Sequence, residues 1–394
     1  MTDLEAFEIA KKLFVTTYKE EPTIKEISYG RLEILGNHTD HQHGKCLVAT
    51  ASLGIRGYIA KADKEVSVAS VGYPKISFPY SDLKAREDEK GTTLSLTRGV
   101  MSALARMGHK IGPFKVAMTS DIFPGAGVSS SAAYELFIGE AINHLFNDDK
   151  ISRRDLALAG QYAENMYFGK ASGLLDQCGS SYGGICFLDF LDTSNPVVEP
   201  IEFPSDWDIS LYLVNPGGSH AGLSDLYSEM PFDMKDVAKK LFKKEVLRQV
   251  SEKEFVDALS EGQDRFISER AKDRALHFYG EQKRVERAFE ALKSHNLEAF
   301  LELERETELS QQTLLKNAMI PNHFASSPLE AAMRADLFLK KGASRVMGGG
   351  LVGTTINFVP KEEEEAFVNG MKQYYPLKNI VKVFIPPVGA HIEK

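Results

Sequence analysis

The stretch Phe123-Pro-Gly-Ala-Gly-Val-Ser-Ser-Ser-Ala-Ala133 decides how the rest of the chain is read. An extended run, PFKVAMTSDI, enters it, and an apolar-periodic segment, AAYELFIGEAINHLF, leaves it. That order predicts a strand, a loop of small residues and then a helix. Unpaired backbone N–H groups and the positive end of the dipole collect at a helix start, so anions gather there. Gly125 and Gly127 let the backbone approach a ligand closely, and Ser129, Ser130 and Ser131 add hydroxyls for phosphate oxygens or a metal ion. Two readings stand side by side at this point: a phosphate cradle, and a helix start capped by serine.

Two common phosphate-loop designs fit badly. A Walker A loop ends in Gly-Lys-Ser/Thr, and no lysine stands here. A dinucleotide fingerprint needs a third glycine where this chain has Ser130. Proline, a small glycine-rich turn and Ser-Ser-Ser-Ala-Ala together resemble the nucleotide loop of the GHMP small-molecule kinases.

The chain has 394 residues, 43% apolar and 26% charged, which favours two or three globular domains. Its net charge of −8 argues against a nucleic-acid surface. An acidic protein that holds a polyanion must build its positive field locally. Cys46, Cys178 and Cys186 make neither a disulfide framework nor a paired zinc pattern. No apolar run approaches the ~20 residues that span a bilayer. The acidic, amphipathic N-terminus is unlike a signal peptide. The expectation is a cytoplasmic protein, monomeric or weakly homo-oligomeric, that engages neither membrane nor nucleic acid.

Along the chain the pattern predicts a helix near 3–19 and a strand-rich region from about 26 to 80. Helices follow near 96–106 and near 152–168, the latter ending at Gly169. Residues 171–184 read as a glycine-serine loop leading to the strand ICFLDFL. Composition shifts to Pro, Ser and Asp around 192–208, which sets domains at 1–200 and 201–394. The second half reads as a strand, lysine-rich helices near 234–250 and a long helical stretch near 280–315. Strands about a Gly348-Gly349-Gly350 turn close it. Lys239, Lys240, Lys243 and Lys244 read as a solvated helix face.

A second motif runs Gly30-Arg-Leu-Glu-Ile-Leu-Gly-Asn-His-Thr-Asp-His-Gln-His43. An apolar strand delivers Asn37, His38, Asp40, His41 and His43 together, a polar cluster suited to a hydroxylated ligand. The His-x-x-His-x-His spacing also raises zinc, without supporting cysteine or carboxylate ligands. GRLEILGNHTDH resembles the galactokinase signature, which typically reads Gly-Arg-Val-Asn-Leu-Ile-Gly-Glu-His-Thr-Asp-Tyr. With the serine loop second and SRVMGGGLVGTT (344–355) third, the GHMP motifs stand in family order. ASGLLDQ and RALHFYGEQKR (274–284) resemble two further family segments, so the similarity spans nearly the whole chain.

The resemblance implies an α+β fold, with a ribosomal-S5-like N-terminal domain and a ferredoxin-like C-terminal one. It implies transfer of the γ-phosphoryl group of ATP to the anomeric hydroxyl of α-D-galactose, with Mg2+ as the metal. It assigns Asp176 to the reacting hydroxyl and Arg31 to holding Asp176 ionised. Asn37, His38, Asp40 and Gly173 would contact the sugar, as would Tyr227, aligned seven residues after His220. Gly125, Ala126, Gly127, Val128, Ser129, Ser130 and Ser131 would hold nucleotide phosphates, and Ser131 with Glu164 the magnesium.

Four departures from the signature bear on the substrate. Asn37 replaces the usual acidic residue and Glu33 the usual asparagine, His41 replaces tyrosine, and Leu351-Val352 replaces Phe-Gly. An amide both donates and accepts, so the hydroxyl contact at position 37 changes character. A kinase for another sugar, such as galactosamine or arabinose, therefore stays open. So does a non-catalytic sugar sensor, although Arg31, Asp176 and the serine run are all present. A nicotinamide-dependent dehydrogenase is a more distant alternative.

Overall fold

The computed structural model describes residues 1–170, 172–218 and 223–393. Ala171, residues 219–222 (including His220) and Lys394 lie outside the described residues.

Strand Lys45–Lys61 organises the first half. It pairs antiparallel along one side with Ile24–Leu35. Its other side serves two partners: residues 45–49 pair with Ile185–Asp189, and residues 55–61 with Phe114–Ser120. The sheet is therefore split between those partners, and the chain leaving Phe114–Ser120 turns into the serine loop. Strands Glu65–Ser70 and Ile76–Pro79 extend one edge, and Val197–Ile201 pairs beyond Ile185–Asp189. The composition shift near 192–208 thus contains an edge strand of the first sheet. The sheet also receives His391–Glu393 beside Ile24–Leu35, so the chain's last strand returns to the first half.

Helices Thr93–Arg106, Ser130–Asn147 and Arg153–Ala163 cover one face. They bury Val100, Phe137, Ile138 and Leu156 against Phe114 and Val116 of the sheet. Burying one such side chain contributes about 1.5–3 kcal/mol, so tertiary packing, more than intrinsic propensity, fixes these helices.

The second half holds a four-stranded antiparallel sheet of Ile209–Val214, Ala343–Val346, Thr355–Pro360 and Ile380–Val383. Their spatial order is fourth, first, third, second. With helices between the first and second and between the third and fourth, this is the expected ferredoxin-like topology.

Three local expectations change. The lysine-rich helix spans Ser224–Phe242 and stops where Lys243 turns left-handed, with all four lysines exposed. The stretch near 280–315 is two helices, Glu269–Lys293 and Leu297–Ser310, divided where Asn296 caps the second by accepting from Ala299 N–H. Residues expected as a glycine-serine loop form the helix Leu175–Tyr182. Its glycine and serine content disfavours an isolated helix, but Gly179 seats it on the sheet. A Cβ at Gly179 would lie 2.6 Å from Arg31 Cβ and 2.5 Å from Val48 Cγ2. No helix among the described residues is long and apolar enough to cross a membrane.

Candidate functional site

Strand Ile24–Leu35 carries the site's two inward charges. Its pairing with Lys45–Lys61 is irregular between Tyr29 and Arg31 and again between Glu33 and Leu35. Arg31, Leu32 and Glu33 form a short regular stretch between these breaks, so Arg31 and Glu33 share one face. At the first break Arg31 N–H donates to Val128 O of the serine loop at 2.8 Å. Bulges re-aim side chains next to functional sites, and here one joins a strand to a loop.

The loop itself is held by alternation. Gly125 and Gly127 have φ of +76° and +69°, a region costly for other residues. Between them Ala126, and after them Val128, are buried in the core, so those two offer a ligand only backbone. Thr354, from the glycine motif of the second half, donates to Gly125 O at 2.6 Å. Ser129 is left-handed, with φ of 60°, and precedes the helix Ser130–Asn147 without capping it. The simple capping reading therefore does not describe Ser129. Its hydroxyl donates to Asp176 Oδ2.

Asp176 lies in the first turn of the helix Leu175–Tyr182. Arg31 Nε donates to its Oδ1 at 2.7 Å, and Arg31 Nη1 donates to Gly127 O at 2.5 Å. Burial alone would push the Asp176 carboxyl up. The Arg31 and Lys170 cations and the Ser129 hydroxyl outweigh it and hold the group below its ordinary range. One guanidinium thus ties the aspartate to the glycine turn.

Ser131 Oγ donates to Glu164 Oε1 at 2.8 Å. Glu164 is fully buried in the π-turn Glu164–Phe168 that ends the preceding helix. Hydroxyl and carboxylate oxygens at the start of a helix suit a hard cation such as magnesium, which keeps most of its waters. Among the described residues no group of three or more His, Cys, Asp or Glu could hold a metal.

The remaining predicted site residues gather at Gly173 and about the Gly348–Gly350 turn. Asp40 lies beside Gly173, where an added Cβ would stand 1.8 Å from Asp40 Oδ2. Burial, with Asp176 nearby, pushes Asp40 up to about 6. His38 makes a neutral relay rather than a metal corner. Its Nε2 is 3.1 Å from Gly349 O, and its Nδ1 is 3.3 Å from His41 Nε2. His41 Nδ1 in turn meets Gln42 Nε2 at 3.1 Å. Burial pulls His38 down to about 4, so a neutral ring donates to the carbonyl and accepts from His41. Tyr227 donates to Gly350 O at 2.9 Å, over the same glycine turn, and burial pushes its phenol up to about 12.

Asn37 is buried and engaged inside the protein. Its Nδ2 donates to Glu33 Oε2 and to Gly348 O, each at 2.6 Å, and its Oδ1 accepts from Asn317 Nδ2 at 2.7 Å. The two departures at positions 33 and 37 are therefore one contact, an Asn–Glu pair with its members exchanged. Glu33 Oε1 also meets Arg345 Nη1 at 3.1 Å, and Arg345 Nε donates to Glu304 Oε2 at 2.6 Å.

Arg345, Asn317, Gln177 and Lys170 were not singled out by the sequence. Gln177 follows Asp176 directly and donates to both Glu135 Oε2 and Glu164 Oε2, at 2.9 and 3.0 Å. Adjacency to the aspartate was the available signal. For the others no local pattern separates a site residue from an ordinary polar one.

A glycine-serine loop that opens a helix, with an ionised aspartate held against it, sits in the two-sheet fold of the GHMP small-molecule kinases. The GHMP kinases N terminal domain model matches residues 95–184, and the galactokinase galactose-binding signature matches residues 12–61. Along most of its length the chain is similar to galactokinases. It is 28% identical to a galactokinase of Clostridium tetani, with 93% of this chain and 91% of that one covered. It is also 28% identical to the Lactobacillus helveticus galactokinase, covering 97% and 95%. The Lactococcus lactis galactokinase structure complexed with galactose shares the fold, with a TM-score of 0.82, 24% identity and full coverage of both chains. An L. major mevalonate kinase shares it more distantly, with a TM-score of 0.62, 17% identity and coverage of 93% and 97%.

Proposed function

We propose that this protein is an ATP-dependent kinase that phosphorylates the anomeric hydroxyl of α-D-galactose, giving galactose 1-phosphate. The observation that carries the reading is the contact of Asp176 with both Arg31 and Ser129 at the mouth of the phosphate loop. The curated relatives named above are galactokinases, which supports galactose as the sugar.

In this reading the backbone N–H groups of residues 125–131 and the helix that follows receive the nucleotide phosphates. Asp40, His38, the backbone at Gly173 and the Gly349 turn under Tyr227 shape the sugar pocket, with Asn37 acting through Gly348 and Asn317. Asp176 Oδ2 faces the sugar hydroxyl. The hydroxyl oxygen forms a bond to the γ-phosphorus while the bond to the β–γ bridging oxygen breaks and its electron pair leaves with ADP. The hydroxyl proton passes to Asp176. A carboxyl held below its ordinary range is a weak base, which suits a loose transition state in which that proton leaves late. Positioning and charge neutralisation supply most of the acceleration. Ser131 and Glu164 would hold magnesium, which supplies charge neutralisation on the phosphate oxygens when bound.

A panel of sugars with coupled ADP detection tests the assignment. Galactose is expected to turn over fastest; turnover of galactosamine or arabinose with galactose inert would replace the substrate. Asp176→Ala is expected to bind ATP and lose most phosphorylation, and near-normal turnover would remove Asp176 from the mechanism.

A further inference from the structure

Lys170 stands one residue beyond the left-handed Gly169 that closes the turn after Glu164. Its Nζ lies 2.8 Å from Glu164 Oε1, the same oxygen that Ser131 Oγ reaches at 2.8 Å. The other oxygen, Oε2, accepts from Ser172 Oγ at 2.6 Å and Gln177 Nε2 at 3.0 Å. The carboxylate is fully buried, while about half of the lysine side chain is exposed. Two further acids stand close by, Glu135 and Asp176. Glu135 shares the Gln177 amide with Glu164, and its own Oε1 is buried with no hydrogen-bond partner. Asp176 acts on both Glu135 and Lys170 by charge. Burial pushes Glu135 well up and keeps it neutral, so the two charged acids, Glu164 and Asp176, are balanced by two cations, Lys170 and Arg31. Arg31 is locked between Asp176 and Gly127, so Lys170 is the cation able to leave.

We propose that Lys170 is a resident counter-ion that occupies the metal-facing oxygen of Glu164 while no nucleotide is bound, so that a divalent ion loads only together with ATP. The inference rests on the reading of Ser131 and Glu164 as the metal-holding pair. A buried carboxylate without a cation is costly, and an ammonium on a flexible stem neutralises it without a bound metal. When a divalent ion arrives on ATP, the negative phosphates give the displaced ammonium a new partner. Free divalent ion brings no such partner and must compete with the lysine. Lys170 is a positioning residue in this account, setting the order in which charge enters the site.

Manganese, followed by its electron paramagnetic resonance signal, serves as the probe of the nucleotide-free protein and of the protein with a non-hydrolysable ATP analogue. Lys170→Met is expected to bind free Mn2+ about tenfold tighter than the unmodified protein, a change of about 1.4 kcal/mol. Lys170→Arg is expected to behave like the unmodified protein, and Lys170→Met/Glu164→Gln to lose the gained site. Circular dichroism checks that each variant is folded, and Lys170→Met/Ser131→Ala replaces the Glu164 variant if that one is not. Equal Mn2+ affinity in Lys170→Met and the unmodified protein overturns the proposal, and leaves the metal pair intact if Glu164→Gln still weakens Mn2+ retention with nucleotide. If Glu164→Gln retains Mn2+ normally with nucleotide, the metal pair itself fails and the proposal falls with it.

Discussion

Exchanging Glu33 and Asn37 should reveal a coupled pair. In Asn37→Glu a second carboxylate replaces an amide that stands 2.6 Å from Glu33 Oε2, in a fully enclosed setting. Two carboxylates so close cannot both ionise. The change also removes the bond to Gly348 O and sets a second buried carboxyl, with no cation of its own, against Glu33, a defect that costs about 3–5 kcal/mol. Glu33→Asn takes one of two carboxylates from Arg345 and the acceptor from Gly348 N–H at 3.1 Å. Arg345 keeps Glu304, so about 2–3 kcal/mol is expected, the range for a hydrogen bond to a charged group plus a group left unsatisfied. The double exchange restores an amide donor facing a carboxylate, although Gly348 O stays without its amide. It should recover about 1–3 kcal/mol relative to the sum of the single changes. Urea unfolding of all four proteins at one temperature measures this coupling. Additivity within about 0.5 kcal/mol would refute the idea that the two departures are a matched pair.

Three other perturbations test the site. Gly179→Ala should drive its new Cβ against Arg31 and Val48, costing about 1–3 kcal/mol of stability and lowering kcat by displacing Asp176; an unchanged Tm and kcat would refute this. Gly127→Ala forces alanine to φ of +69°, at about 1–2 kcal/mol, and should raise the KM for ATP more than that for sugar. Asp40 has a folded value near 6 against an ordinary 3.8, so the folded state holds its proton more tightly than the unfolded chain. Its contribution to stability is fully present below the ordinary value and is lost as pH rises through about 6. Sugar binding should run the other way, the KM for sugar rising as pH falls below about 6, and Asp40→Asn should flatten that profile.

How much was legible follows from what each residue's neighbours in sequence reveal. The serine loop announced itself because proline, glycine and serine mark a strand-to-helix junction locally. The ferredoxin-like sheet was expected from resemblance, and its strands were visible as apolar runs. The helix Leu175–Tyr182 was not, because its glycines and serines disfavour helix and the force that makes it one is contact with a strand nearly 150 residues away in sequence. Arg345 was hidden for a similar reason. It stands in the strand Ala343–Val346 before a glycine turn, and only the folded molecule supplies the two carboxylates that let it be fully buried. Asn37 was legible as a departure, but its partner Glu33 was visible only as a second, separate one.

The site depends on three residues of one strand more than on any single motif. Between the two breaks in its pairing, Arg31 and Glu33 project from the same face toward different parts of the molecule. Arg31 gathers the serine loop and the helix of Asp176, both in the first half. Glu33 gathers Arg345 and the Gly348 turn, both in the second half. A one-residue slip in that strand would turn both side chains to the opposite face at once. Leu32, between them, is fully buried in the core and resists such a slip. Register in Ile24–Leu35 therefore sets where Arg31 and Glu33 reach, and a polar replacement of Leu32 should damage turnover by misplacing Arg31 even though Leu32 itself lies on the opposite face of the strand.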